Sequence, residues 1–212
     1  VVRTASFQIT FAVATTAAAA AGVTSLAAHH LAQQLWALYS LVLDSVAISA
    51  QSLVGAALGA GLAAHGRALA RAVIVWSLGL GALLAVVTVL FREPLAALLA
   101  GDPGVSERLV VALIGMALVV IPAAVVFGLD GVLLGAGDAA YLRTTTVIAA
   151  LAGFLPILLA ARHHGWGLVG IWWGMGAFVG IRLIAVWLRV RGERWLVLGA
   201  DTPGSARREE AL

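Results

Sequence analysis

Long apolar stretches, separated by short polar and glycine-rich segments, dominate the pattern of the chain. A helix needs roughly 20 apolar residues to cross the hydrocarbon core of a bilayer. Six stretches meet this requirement. They lie at about 5–21, 27–60, 70–91, 109–135, 143–161 and 167–188. The pattern therefore predicts an all-α integral membrane protein, with a bundle of six transmembrane helices over residues 1–190.

Composition supports lipid rather than water as the solvent of this chain. Apolar residues make up 62% of the 212 residues and charged residues 11%, whereas soluble domains average about 45–50% and about 25%. There is no Cys, which excludes disulfides and thiolate metal sites. The last segment, 191–212, is polar and charged, and we expect it to form a solvated, disordered cytoplasmic tail.

The arginines between the spans predict the orientation. On one side of the predicted bundle lie Arg3, Arg67, Arg71, Arg143, Arg189, Arg191 and Arg194. On the other side lie only Arg92, Arg108 and Arg162. The positive-inside rule then places both termini in the cytoplasm. We expect a multi-pass protein of the cell (plasma) membrane, and this arrangement of arginines does not resemble a nucleic-acid groove.

Small residues recur at a spacing of four within the spans. The glycine pairs are Gly55 and Gly59, Gly131 and Gly135, Gly170 and Gly174, and Gly176 and Gly180. In membranes this spacing lets two helix backbones approach closely. The alternative is that a chain with 24 glycines produces such pairs by chance.

A polar stripe runs along the second predicted helix. At 100° per residue, Gln33, Ser40, Asp44 and Gln51 fall within about 20° of one line. A charge at the centre of a membrane helix costs roughly 2.5–3.5 kcal/mol, so it normally faces a cavity or a partner. The stripe predicts the wall of a wet, substrate-lining cavity. The alternative is a buried hydrogen-bonded seam between helices.

Two further charges, Asp130 and Arg182, fall inside the fourth and sixth spans. Either they form a structural ion pair, or Asp130 is a carboxylate that exchanges a proton or Na⁺. We find no Ser–His–Asp arrangement, metal-ligand set or phosphate loop, so the sequence predicts neither an enzyme nor a bound cofactor or metal. His29 and His30 are expected at the outer interface rather than as ligands.

Two motifs resemble the multidrug and toxic compound extrusion family. Residues 26–36 (LAAHHLAQQLW) and 44–61 (DSVAISAQSLVGAALGAG) are similar to the eighth helix of that family. Residues 130–138 (DGVLLGAGD) resemble its signature at the end of the tenth helix. With the order of the spans, the resemblance covers roughly residues 1–190. It is nearest to the C-terminal lobe of the DinF-like branch.

The resemblance implies one lobe of a two-lobe transporter with a central cavity. The N-terminal lobe would come from the same chain or a split partner, or a homodimer would form. The expected activity is secondary active efflux of amphipathic or cationic compounds in exchange for H⁺ or Na⁺, without a cofactor. In some branches an acidic residue of the helix matching that of Asp130 binds the cation, whereas the DinF-like branch couples through the other lobe. Alternatives are a lipid-linked precursor flippase of the same superfamily, or a non-transporting partner or degenerate half-transporter.

Overall fold

The computed structural model describes residues 12–198, and every regular element in that part of the chain is helical. Five of the helical segments are long and apolar enough to cross a membrane. The all-α membrane fold is therefore confirmed. The first predicted span, 5–21, begins among residues that lie outside the described part, and its described portion is helical over 12–20.

The described helices follow one another with short connections. In chain order they are α1 (12–20), α2 (Val23–Gly59), α3 (Ala63–Leu90), α4 (Arg92–Leu99), α5 (Pro103–Gly135), α6 (Ala139–Ile148), α7 (Leu155–His164) and α8 (Gly167–Arg191). A π-helical segment, Ala149–Phe154, joins α6 and α7 into one span, Ala139–His164.

The central helix of the lobe is α5. It packs against α2, α3 and α8. A larger share of its apolar residues is buried than in any other described span. The distribution of its apolar residues explains this position, because they occur on all sides of the helix rather than on one face. The core of the lobe is therefore built around α5, and the other spans each leave one face outward.

The connection between the third and fourth predicted spans contains more helix than expected. Residues 92–99 form α4, whose Ala96 is fully buried, and α5 begins at Pro103 rather than near residue 109. The Asp102 side chain accepts a hydrogen bond from the Val105 amide at 3.1 Å. Asp before Pro is a helix-start signal, and Asp102 is the N-cap of α5.

The fifth span changes its winding before Pro156. A proline has no N–H, so the carbonyl four residues earlier loses its usual donor. The preceding turn is widened into the π-helical segment 149–154. Its last residues, Gly153 and Phe154, pack against α8 at Ala177 and Gly174.

Glycines bring α2 and α5 into backbone contact. A Cβ added to Gly135 would lie 2.5 Å from the Gln51 carbonyl oxygen, and one added to Gly55 would lie 3.3 Å from the Gly135 oxygen. A Cβ on Gly131 would overlap the Ala47 carbonyl. The predicted close approach is therefore confirmed at this crossing.

Spacing alone did not identify which glycines pack. A Cβ on Gly170 would overlap Ala161 of α7, so that glycine also serves a helix contact. By contrast, Cβ atoms on Gly59 or Gly180 would meet nothing within 4 Å among the described residues.

We predict that Gly131→Ala destabilises the lobe, because the added methyl group cannot enter the α2–α5 crossing without moving the backbone at Ala47. Overpacking of this kind costs about 1–3 kcal/mol. The measurement is the Tm of detergent-solubilised protein. Gly79→Ala is the matched control, since Gly79 lies within α3 with open space around it. Equal Tm values for Gly131→Ala and the wild type would contradict the packing account.

Candidate substrate-facing site

An ion pair buried between α5 and α8 accounts for two of the three charges predicted inside the spans. Arg182 Nη2 lies 2.8 Å from Asp130 Oδ1 and 2.6 Å from Asp130 Oδ2. The two residues are only 2% and 6% exposed. Their attraction offsets part of the cost of burying the two charges, whereas either charge alone would remain uncompensated. Two roles were considered for Asp130, and the structure contains the contact that the first of them, the ion pair with Arg182, requires.

A second carboxylate–arginine pair connects the same chain segments nearer the end of α8. Arg189 Nε lies 2.6 Å from Asp138 Oδ2. Arg189 is seven residues after Arg182, about two helical turns, so both arginines point from the same side of α8. The Tyr141 hydroxyl donates to a backbone carbonyl of α8 at 2.8 Å. The motif 130–138 is therefore attached to α8 at both of its ends.

The four residues of the predicted stripe on α2 differ in exposure. Asp44 and Gln51 are exposed, whereas Gln33 and Ser40 are half-buried. Gln33 donates a hydrogen bond of 3.4 Å to Thr15 Oγ1 of α1. The stripe thus follows the border between the face of α2 that packs on the lobe and the face that points outward.

The outward face of α2 mixes polar and apolar side chains. Its exposed polar residues between positions 34 and 53 are Gln34, Asp44, Ser45, Ser49, Gln51 and Ser52. Its exposed large apolar residues in the same interval are Leu38, Leu41, Val42, Ile48 and Leu53. We call this surface, defined by these two sets of residues, the α2 outer face.

The outward face of α3 has a different composition. From residue 72 to residue 90 its exposed positions are all apolar, including Val75, Leu83 and Val86. This is the composition expected of a helix surface that contacts lipid tails. The outward faces of α2 and α3 therefore differ in polarity.

Not every polar group of the α2 outer face requires water. Ser45 Oγ donates to the Val42 carbonyl at 2.7 Å, and Ser49 Oγ donates to the Ser45 carbonyl at 2.9 Å. Such bonds to the preceding turn satisfy hydroxyls in lipid-exposed helices. The Gln51 amide makes no hydrogen bond with a described residue. Asp44 and Gln51 are the exposed carboxylate and amide of the second half of this face.

His29 lies in the core, which corrects the expectation of an interfacial position. It is 3% exposed, while His30 beside it is exposed. His29 lines a small cavity together with Gln33, Trp36 and Trp172. The volume available to the centre of a water molecule is about 10 Å³, which is roughly the space that one water needs. Helical phase could have indicated this, since residue 29 shares the buried face of α2 with residue 36.

The α2 outer face combines several kinds of side chain that can bind a ligand. Within the described range, no group of three or more His, Cys, Asp or Glu side chains could hold a metal ion. The α2 outer face offers one carboxylate, two amides, hydroxyls and apolar surface. Such a surface can accept a cation and an apolar body at the same time.

The helical lobe, with five described helices long and apolar enough to cross a bilayer, defines an integral membrane protein. The chain belongs to the MatE family, the multidrug and toxic compound extrusion family, whose model matches residues 1–159. Members of this family are transporters rather than enzymes. The resemblance noted in the two motifs is thereby confirmed at the level of the family.

The relatives include two proteins of Arabidopsis thaliana. Protein DETOXIFICATION 44, chloroplastic, is 34% identical over 201 residues, which are 92% of this chain and 38% of that protein. Protein DETOXIFICATION 45, chloroplastic, is 28% identical over 202 residues, or 94% of this chain and 36% of that protein. The chain therefore spans less than two fifths of the length of these relatives.

A solved structure shares the fold. The Vibrio cholerae MATE transporter VcmN in its bent form matches with a TM-score of 0.77 and 24% identity. The match covers 89% of this chain and 44% of that transporter. The lobe described here therefore corresponds to part of a MATE transporter fold.

We predict strong energetic coupling between Asp130 and Arg182. Removing one partner leaves a buried charge uncompensated, which costs about 3–5 kcal/mol. In a double-mutant cycle, Asp130→Asn and Arg182→Gln should each lower the stability in detergent. The double variant should lose less stability than the sum of the two single losses, and the difference should be at least ~1 kcal/mol.

The Asp138–Arg189 pair provides the matched control for this cycle. It has the same chemistry, but its side chains are 15% and 23% exposed, so we expect a smaller coupling, of about 0–1 kcal/mol. Additive effects of Asp130→Asn and Arg182→Gln would show that the buried pair is not a stabilising unit.

Proposed function

We propose that this chain forms the C-terminal lobe of a secondary active exporter of amphipathic, cationic compounds, driven by exchange for H⁺ or Na⁺. The family assignment supports transport, and the length relative to the relatives supports a larger whole. The motif around residues 44–61 supports assignment to the second lobe, and the DinF-like branch remains part of the proposal. An N-terminal lobe, in the same chain or as a split partner, or a second copy of this lobe, would complete the cavity.

The observation that carries the proposal is the α2 outer face. This face combines a carboxylate, amides and hydroxyls with apolar side chains, whereas the exposed positions of α3 between residues 72 and 90 are all apolar. We infer that the α2 outer face lines the aqueous cavity between two lobes. Asp44 attracts the cationic part of a substrate, and the neighbouring Leu41 and Ile48 contact its apolar part.

Three further residues of α2 are assigned supporting positions in this cavity, and Asp130 is assigned a position behind its wall. Gln51 lies two turns beyond Asp44 on the exposed side and offers an amide to polar substrate groups. Gln33 and Ser40 border the same surface toward the other end of α2. Asp130 contributes through its pair with Arg182, which fixes α5 against α8 behind the cavity wall.

The driving ion is assigned to no residue of this lobe. A cation site at Asp130 would have to displace Arg182 from contacts of 2.6 and 2.8 Å. Asp130 therefore acts as a positioning residue in this proposal, and ion binding belongs to the missing lobe. We also propose the cell membrane as the location, with both termini in the cytoplasm, since the arginine asymmetry favours that orientation.

A lipid-linked precursor flippase is the weaker candidate. Its cavity would need fixed cationic groups to hold a pyrophosphate head. The α2 outer face contains no arginine, and the charge of Arg182 is compensated by Asp130. The observed surface favours a cationic cargo over an anionic one.

The test is an Asp44→Asn variant of the complete two-lobe transporter, assayed for efflux of a fluorescent cationic dye from proteoliposomes. The variant keeps the size and polarity of the side chain but removes the charge. We expect efflux to fall about tenfold, which corresponds to ~1.4 kcal/mol of lost cation binding. Tm and gel-filtration profile are measured in parallel, so that a loss of efflux through misfolding is recognised.

Glu107→Gln serves as the matched control, since Glu107 is an exposed carboxylate in the first turns of α5, far along the chain from the α2 outer face. It should leave efflux unchanged. Equal efflux by the wild type and Asp44→Asn would remove Asp44 from substrate binding. No efflux by the wild type with any N-terminal lobe would favour a non-transporting partner or degenerate half-transporter.

A further inference from the structure

A crevice opens between the beginning of α3 and the end of α8. Its volume is about 470 Å³, and α5 forms its floor at Leu129. Three arginines line it: Arg67, Arg71 and Arg191. The helices α3 and α8 both pack on α5 but have little contact with each other, which leaves the crevice open at this end of the lobe.

The crevice concentrates positive charge that the protein only partly compensates. Arg67 pairs with Glu193 at 3.3 Å. The Arg191 guanidinium lies over the ring of Trp187, 4.7 Å from its centroid. Arg71 makes no hydrogen bond or ion pair with any residue between positions 12 and 198. Three arginines thus face one carboxylate around a single cavity.

The segment that follows α8 completes the wall of the crevice. Trp195 is 1% exposed, and its Nε1 donates to the Val190 carbonyl at 2.9 Å. This segment belongs to the tail that the sequence predicted to be solvated. Its described part, up to Leu198, instead returns to the lobe, while residues 199–212 lie outside the described chain.

Below the arginines the crevice is apolar. Ala70 and Ile74 continue its wall along α3, and Val190 does so along α8. The cavity therefore joins a cationic rim to an aliphatic interior, and Trp187 and Trp195 also line it. This combination matches an amphipathic anion better than a soluble ion.

We propose that the crevice binds an anionic phospholipid. The guanidinium groups of Arg71 and Arg191 hold the phosphate through charge-assisted hydrogen bonds, and an acyl chain lies along the aliphatic wall between α3 and α8. Basic pockets between transmembrane helices recognise anionic headgroups in this way. The site is lateral and separate from the α2 outer face, so it does not rest on the proposed efflux activity.

The test is a titration of the full transporter chain in detergent with short-chain phosphatidylglycerol, and with phosphatidylcholine of the same acyl length. Bound lipid is counted by native mass spectrometry and the Tm is followed in parallel. We expect preferential retention of phosphatidylglycerol, a higher Tm with it, and loss of both at high salt. Equal retention of the two lipids would overturn the proposal.

Substitutions locate the binding. The double variant Arg71→Gln and Arg191→Gln should lower the affinity for phosphatidylglycerol on the order of 30-fold, since each arginine near an anionic group is worth about fivefold. Arg143→Gln is the matched control, because Arg143 is an exposed arginine that does not line the crevice. Unchanged affinity in the double variant would place the lipid elsewhere and overturn the assignment.

Two further arms separate alternative explanations. Arg71→Lys with Arg191→Lys retains the charge and should retain most of the lipid preference, which keeps the test decisive if the Gln variant does not fold. Inorganic phosphate should neither raise the Tm as the lipid does nor displace the lipid at equal concentration. If it does both, the crevice binds a soluble anion and the lipid proposal is wrong.

Discussion

A charge inside the hydrocarbon core of a bilayer must meet an opposite charge or water, because lipid tails can solvate neither carboxylates nor guanidinium groups. The lobe meets this constraint in two ways. Asp130 and Arg182 compensate each other in the packed interior between α5 and α8. Asp44 lies on an exposed helix face that also carries Gln51 and several serines. The first arrangement lies in the packed interior of the lobe, and we propose that the second faces the water of the cavity.

The α2–α5 crossing determines how these two arrangements sit side by side. Gly131 lies against the Ala47 backbone, so Asp130 and Asp44 each lie within one turn of the same crossing. From there Asp130 turns toward α8 and Asp44 turns outward. A larger residue at 131 would separate the helices and disturb both positions, which connects the packing of the lobe to its proposed binding surface.

Hydropathy and helical phase predicted the membrane fold, the stripe on α2 and the pairing of Asp130 with Arg182 as one of two alternatives. Each depends on one helix or on the general cost of buried charge. They did not predict that residues 92–99 form a helix, because eight residues cannot span a membrane. They also missed the burial of His29 and Trp195, and the arginine-lined crevice. Those features depend on which helices become neighbours, and a single sequence does not specify this.

The solvent at position 44 tests the central claim most directly. The chain contains no Cys, so single cysteines can be introduced into the complete transporter after removal of any others. Only a water-accessible thiolate reacts with a charged, membrane-impermeant thiol reagent. The account predicts rapid labelling of Asp44→Cys and Gln51→Cys in proteoliposomes and no labelling of Leu83→Cys, whose side-chain position on α3 is 58% exposed. Labelling of Asp44→Cys as slow as that of Leu83→Cys would contradict it.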